Sequence, residues 1–254
     1  MLTEDQKKQF HTLGFILLKD LISPEEMQVY VDEFDDTMVS ANGGVPWDQA
    51  PKRQQVVPFY RENTEVYHKL LDNESVFEVV EDLIGYDFVF SVSEGIQHFG
   101  GTRWHHDAIS PEDHVHLKVV FFLDSVRKDT GCLQVIPGTQ LKSFRDRLKN
   151  NGEHILELGP DVPGAHPIEA DPGDAVVFIV KCYHGAFGDS PRRAIYLNFI
   201  QKPTTAEEET YVTDLYEGDA SHGWIYYTPE LFSDATPKRM KMLSFLRERC
   251  YKAP

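Results

Sequence analysis

Apolar residues fall along this chain in two textures, and the change between them comes near residue 87. Before it the spacing is helical. Thr3 is placed to cap a short helix through Gln6, with Phe10 on its inner face and Gly14 as its stop. Phe15-Ile16-Leu17-Leu18 then predicts a brief strand. Ser23-Pro24-Glu25-Glu26 opens the next helix with a cap, a proline at the first helical position and acids in the first turn. Met27, Tyr30, Val31 and Phe34 recur at helical spacing along it. Met38 through Val56, with Gly43-Gly44 and two prolines, loses the pattern and predicts a surface loop. Glu62 to Leu71 and Ser75 to Ile84 predict two more amphipathic helices, the second ended by Gly85.

Beyond residue 87 the period shortens to two. Asp87 to Phe99 alternates as a strand does and is broken by Gly100-Gly101. Val115 to Leu123, Cys132 to Ile136, Val176 to Val180 and Ala194 to Ile200 predict further strands. A polar insert rich in Lys, Asn, Gly and Pro separates Leu141 from Pro172, and Thr204 to Cys250 returns to helix, most clearly over Lys238 to Arg249. The expected fold is α+β and mainly β, a double-stranded β-helix (jelly-roll, cupin-like) buttressed by helices. One domain is expected over 1–254: helices over 3–86, the β core over 87–203 and a helical tail over 204–254.

Composition narrows the partners. The chain of 254 residues has 25 Lys and Arg against 41 Asp and Glu, a formal charge of −16. That argues against nucleic acid and anionic membranes, both of which bind basic patches. It also argues against polyanionic substrates, unless a local basic pocket overrides the average. Three scattered cysteines, Cys132, Cys182 and Cys250, form no disulfide framework and predict a reducing compartment. The polar, acidic start does not read as a signal peptide, and apolar runs such as Val176 to Val180 are too short to span a bilayer. A cytoplasmic protein with a small-molecule substrate, monomeric or homodimeric, is expected.

The chemistry concentrates in Trp104-His105-His106-Asp107 and in the distant His184. Side chains two apart on a strand face one way, so His105 and Asp107 share a side. With one further histidine such a pair makes a 2-His-1-carboxylate triad, which leaves open positions on Fe(II). On the tetrapeptide alone, a surface turn with a solvated carboxylate is an equal account. His184 follows a strand opened by Gly173-Asp174, and Arg192-Arg193 starts the next one. An arginine there is what a dicarboxylate co-substrate needs, because a guanidinium pairs bidentately with a carboxylate.

Four segments in order resemble the phytanoyl-CoA dioxygenase superfamily of Fe(II)- and 2-oxoglutarate-dependent oxygenases. They are Phe10-His11-Thr12-Leu13-Gly14-Phe15 leading into Leu21-Ile22-Ser23-Pro24; Trp104-His105-His106-Asp107; Asp129-Thr130-Gly131-Cys132 through Pro137-Gly138-Thr139; and Pro172-Gly173-Asp174 through His184-Gly185 to Arg192-Arg193-Ala194. The resemblance implies that His105, Asp107 and His184 hold Fe(II), and that one of Arg192 and Arg193 anchors the distal carboxylate of 2-oxoglutarate. If Ile195, Leu197 and Phe199 face the helices, alternation points Arg192 into the cavity and leaves Arg193 in reserve. Gln97 sits where the family often contacts the co-substrate, a solvated strand amide being the other account. The implied reaction consumes O2 and releases succinate and CO2, with ascorbate as a stimulant, while a small metabolite or natural-product intermediate is hydroxylated, desaturated or cyclised. Related halogenases carry a small residue at the position of Asp107, so a carboxylate there argues against halogenation. The chain departs from the family at His184-Gly185-Ala186, where a serine is usual at the third place.

The remaining residues are read more plainly. His106 is expected to point away from the ligand side. His114 and His116 predict a polar strand edge; His98, His154 and His166 predict surface residues; Lys118 predicts an exposed strand lysine; Trp104 predicts a packing residue. Tyr60, Trp224, Tyr226 and Tyr227 are candidates for a substrate pocket, with ordinary packing as the competing account. A Zn(II) hydrolase or cupin-like isomerase on the same ligands, and a non-catalytic binding protein, remain as alternative classes.

Overall fold

A computed structural model describes residues 1–41, 43–46, 53–59, 64–151, 153–221 and 227–251. Helix α1 (Glu4–Leu13) opens on a reciprocal cap: the Thr3 side chain accepts from the Gln6 N–H, and the Gln6 side chain accepts from the Thr3 N–H at 2.8 Å. It ends at Gly14, whose φ of 87° belongs to the left-handed region. α2 (Pro24–Ala41), α3 (Thr64–Leu71) and α4 (Glu74–Ile84) complete the N-terminal helices. α5 (Lys142–Asn151) lies in the insert, and α6 (Ala206–Ser221), α7 (Pro229–Ser233) and α8 (Pro237–Arg249) form the tail. No helix among the described residues is long and apolar enough to cross a membrane.

The strands are β1 (Phe15–Leu18), β2 (Gln54–Val56), β3 (Phe88–His98), β4 (Thr102–His105), β5 (His116–Phe122), β6 (Leu133–Val135), β7 (His166–Ile168), β8 (Ala175–Ile179), β9 (His184–Ala186) and β10 (Arg192–Gln201). They form a six-stranded sheet in the order β1-β8-β5-β10-β3-β2 and a four-stranded sheet in the order β4-β9-β6-β7. Every pairing is antiparallel. The fold is mainly β, a double-stranded β-helix with helices against it.

Alternation sorts the apolar side chains into two layers. Val119, Phe121, Val177, Ile195, Leu197 and Phe199 face outward from the large sheet onto Phe10, Tyr30, Phe34, Val80 and Leu246 of the helices. Val120, Phe122, Val176, Phe178 and Ala194 face inward and meet Leu133, Val135 and Ile168 of the small sheet. The inner layer is the thinner one, and the space it leaves at one end is the site cavity. The tail is held to the helical layer by Arg239, fully buried, which donates to Asp234 at 2.5 Å and lies 3.6 Å from Asp72. Tyr227 belongs to that layer too, and its hydroxyl donates to the Phe90 carbonyl at 2.5 Å. It is core rather than pocket; Tyr60, Trp224 and Tyr226 lie outside the described residues.

Two expectations about loops need correction. Within 38–56, α2 runs on to Ala41 and β2 pairs with β3, Gln55 opposite Ile96. The polar insert contains α5, a 3-10 stretch over Glu153–Asp161, and β7. α5 escapes a hydrophobic pattern because Arg145, a charged residue, takes an inward position and donates to the carbonyls of Thr139 and Gln140. Strands of three residues, such as β6, β7 and β9, are too short to display a period.

Gly14 ties this frame to the site. Its carbonyl accepts from the Ile179 N–H at 2.8 Å, and a Cβ placed on it would fall 2.2 Å from the Cys182 Sγ. Replacing Gly14 with alanine therefore combines left-handed strain with a collision in a packed wall. The expected loss is about 2 kcal/mol or more, read as a lowered midpoint in urea unfolding. A midpoint equal to the wild type would contradict the packing described for this corner.

Candidate metal centre

β4 and β9 are neighbours in the small sheet, and their register sets His105 directly opposite His184. Opposed residues of an antiparallel pair point to the same face, so the two imidazoles meet, ring centroids 4.3 Å apart. Asp107 lies two residues past His105, just beyond the strand end, where its N–H donates to the Val180 carbonyl at 3.1 Å. One carboxylate oxygen, Oδ1, is 3.5 Å from the Nε2 of each histidine. The three donor atoms all lie within 4.8 Å of one another.

Backbone carbonyls orient both rings. The Nδ1 of His105 is 2.7 Å from the Arg103 oxygen, and the Nδ1 of His184 is 2.9 Å from the Cys182 oxygen. A carbonyl oxygen only accepts, so Nδ1 carries the proton in each ring and the Nε2 lone pair faces the carboxylate. The other oxygen of Asp107, Oδ2, is held by Lys118 Nζ at 2.9 Å. Burial works against charge on Asp107, but Lys118 and the two imidazoles outweigh it and keep the carboxyl well below its usual range. Two imidazoles presenting Nε2 and an ionised carboxylate on one side of a common point fit a divalent metal with open positions opposite.

A cavity of about 380 Å³ opens on these three residues. Phe122, Leu133 and Phe178 supply apolar wall, and Glu94, His98, Lys118, Arg192 and Tyr196 supply polar groups. Arg192 is 2% exposed. Its Nη1 donates to the Gly100 carbonyl at 3.0 Å, whereas its buried Nη2 has no partner among the described residues. No carboxylate pairs with it among them either. Gly131 gives the guanidinium room: with φ of 98°, it approaches so closely that a Cβ would lie 2.7 Å from Nη1.

Alternation separates the adjacent arginine. Arg193 leaves the cavity and clamps Asp35 at 2.8 Å through two oxygens and Asp124 at 2.7 Å. Gln97, opposite Arg193 in the β3–β10 register, shares its side of the sheet and is not among the residues that line the cavity. The cavity position is its neighbour His98, expected at the surface but buried, with Nε2 2.9 Å from the Tyr196 hydroxyl. Burial above all, then the positive charge of Arg192, Arg53 and Lys118, pushes its pKa down to about 3.

Lys118 is likewise not an exposed strand residue, since its side chain is enclosed between Asp107 and Glu94. His114 and His116 are buried rather than edge residues, bonded to the Gln201 carbonyl at 2.8 Å and the Tyr211 hydroxyl at 2.8 Å. His154 and His166 are exposed as expected. His106 turns away from the cluster onto Tyr183, and Trp104 packs there with its Nε1 donating to the Gly159 carbonyl at 2.7 Å. At Ala186, where the family usually has serine, Thr102 stands opposite and brings a hydroxyl to the same wall. Only residue register reveals His98, Lys118 and Thr102, because nothing in their local sequence marks them.

Comparison with known proteins places the fold and the family. No curated protein matches the chain in sequence. Its structure is similar to the non-heme alpha ketoglutarate dependent carbocyclase SnoK from nogalamycin biosynthesis, at 17% identity and a TM-score of 0.62 over 79% of this chain and 84% of that one. It is also similar to the epimerase SnoN in complex with Fe3+, alpha ketoglutarate and nogalamycin RO, at 16% identity and a TM-score of 0.60 over 83% of this chain and 89% of that one. A third, HygX from Streptomyces hygroscopicus with nickel and 2-oxoglutarate bound, has 13% identity and a TM-score of 0.62 over 78% of this chain and 86% of that one. At such identities the likeness establishes the shared fold. The sequence model of the phytanoyl-CoA dioxygenase (PhyH) family matches residues 10–194, well over half of the chain, and the chain belongs to that family.

Proposed function

We propose that this chain is an Fe(II)- and 2-oxoglutarate-dependent oxygenase of a small molecule, with His105, Asp107 and His184 holding the iron and Arg192 the co-substrate. The observation that carries the reading is the unpaired guanidinium of Arg192, buried in the cavity onto which the three donors open. A buried charge without a counter-ion costs several kcal/mol, and a dicarboxylate ligand supplies the missing anion. A zinc hydrolase on the same donors leaves that guanidinium unexplained.

Bound Fe(II) with 2-oxoglutarate and O2 supplies the oxidising power, and succinate and CO2 leave as the co-products. The chain's own residues orient and exclude. The carbonyls of Arg103 and Cys182 keep both Nε2 lone pairs turned inward, and Lys118 fixes which carboxylate oxygen of Asp107 is presented. Phe178, whose ring centroid lies 4.7 Å from that of His184, and Phe122 keep water from the inner wall. Hydroxylation, desaturation or ring closure of the substrate are the outcomes this arrangement serves.

Asp107→Ala should abolish succinate formation in a metabolite library screened with Fe(II) and ascorbate; retained turnover would refute the ligand assignment. Lys118→Met should weaken iron binding about 10–100-fold in anaerobic titration, because Asp107 then loses the partner that fixes it. The two arginines should separate cleanly. Arg192→Met is expected to raise the KM for 2-oxoglutarate at least about thirty-fold, the equivalent of about 2 kcal/mol. Arg193→Met should leave that KM alone and lower the melting temperature, since it strands Asp35 and Asp124. Equal effects of the two on KM would remove the basis for choosing Arg192.

A further inference from the structure

The cavity carries one positive charge more than the iron chemistry uses. Lys118 is matched by Asp107 at 2.9 Å and Glu94 at 3.4 Å. Glu94 is also fully engaged, accepting from Asn198 at 3.2 Å on one oxygen and from Gln55 at 2.8 Å on the other. Arg53 remains. β2 runs antiparallel to β3 with Gln54 opposite Gln97 and Gln55 opposite Ile96, so the next step outward sets Arg53 against His98. Residues 53 and 55 share a side of the strand, and it is the cavity side, since Gln55 reaches Glu94 there. Arg53 lines the cavity and is exposed at its mouth. Among the described residues no carboxylate pairs with it.

Charges on the lining add up simply. Arg53, Lys118 and Arg192 are positive, Glu94 and Asp107 negative, and the sum is plus one. A divalent metal and a dianionic keto acid cancel each other, so the surplus survives loading. His98 does not contribute, because it is buried neutral under these cations. We infer that the substrate of this cavity is a monocarboxylate whose carboxylate sits on Arg53 at the mouth, with the carbon to be oxidised reaching inward toward the 105/107/184 centre. This rests on the oxygenase reading and adds to it the class of substrate. The chain's net charge of −16 does not oppose it. Charges more than about 8–10 Å apart across solvent are screened at ordinary ionic strength, while Arg53 would act in direct contact. A cavity of about 380 Å³ that also takes the keto acid favours a compact substrate.

The test uses wild type, Arg53→Gln, Arg53→Lys and Arg192→Met, each loaded with Fe(II) without oxygen. Binding of 2-oxoglutarate is measured first by calorimetry, then binding of a library of monocarboxylates, phosphate esters, neutral amides and polyols, and amines. Monocarboxylates are expected to lead the bound compounds, with R53Q weakening them about tenfold or more and R53K restoring part of the loss. The carboxamide of the best binder should be indifferent to R53Q, since it lacks the charge that Arg53 meets. Binders confined to the other classes, or carboxylates indifferent to R53Q, would overturn the inference. So would an affinity for 2-oxoglutarate that falls in R53Q as far as in R192M, because Arg53 would then serve the co-substrate. A wild type that fails to bind 2-oxoglutarate at all strikes instead at the oxygenase reading.

Discussion

The pairing of β4 with β9 is the constraint on which the rest of the site depends. It brings together His105 and His184, which lie far apart along the chain, and it does so by register alone. A slip of one residue would send His184 to the opposite face and leave Asp107 with a single imidazole. The short strands have few ladder bonds of their own, so the register is secured from outside. The Tyr183 N–H donates to the Thr139 hydroxyl at 2.9 Å, the Tyr183 carbonyl accepts from the Ile136 N–H at 2.9 Å, and the Asp107 N–H meets the Val180 carbonyl. Behind them Gln140 donates to the carbonyls of His11 and Thr12 at 3.0 Å, tying the end of α1 to the same corner. The N-terminal helix is thereby part of what sets a histidine in place near residue 184.

The cations of this fold are held in different ways. Arg193 and Arg239 are enclosed with their carboxylates, Asp35 and Asp124 for one, Asp72 and Asp234 for the other. These pairs join helices to sheet and helices to tail, and they offset the cost of burial locally. Arg192, like Arg145 and Lys181, has only backbone carbonyls, and Arg53, exposed at the cavity mouth, has no carboxylate among the described residues. Arg192 and Arg53 open on the same cavity, and Lys118, the third cation there, is matched at the metal side. Three cations against two carboxylates leave this cavity net positive within a strongly acidic chain, which is the arrangement expected where anionic ligands enter.

Much was legible in the residues themselves. The change from helical to strand period near residue 87, the Thr3 cap and Gly14 stop, the strands over 88–98, 116–122 and 192–201, and the helical tail all appear in the structure at nearly the expected bounds. These follow from local chemistry: capping groups, glycine at positive φ, and alternation over enough residues to count. The donor types were legible as well, because His-x-Asp at a strand end shares a side whatever surrounds it. The choice of Arg192 over Arg193 followed from alternation once Ile195, Leu197 and Phe199 were taken as the helix side, and those residues do pack on the helices.

What tertiary structure alone decided is which residues of different strands stand opposite each other. Gln97 and His98 are both polar and adjacent, and only the pairing of Arg192 with His98 puts the histidine in the cavity and the glutamine behind it. Lys118 reads as a solvent lysine until Glu94 on one strand and Asp107 beyond another close around it. Arg53 lies in a stretch without pattern, and becomes cavity wall because three residues after it add a strand to the sheet edge. A chain determines period and local geometry through contacts among near neighbours. Register between distant strands is settled by long-range packing and turn lengths, so the donors were visible in the sequence and their surroundings were not.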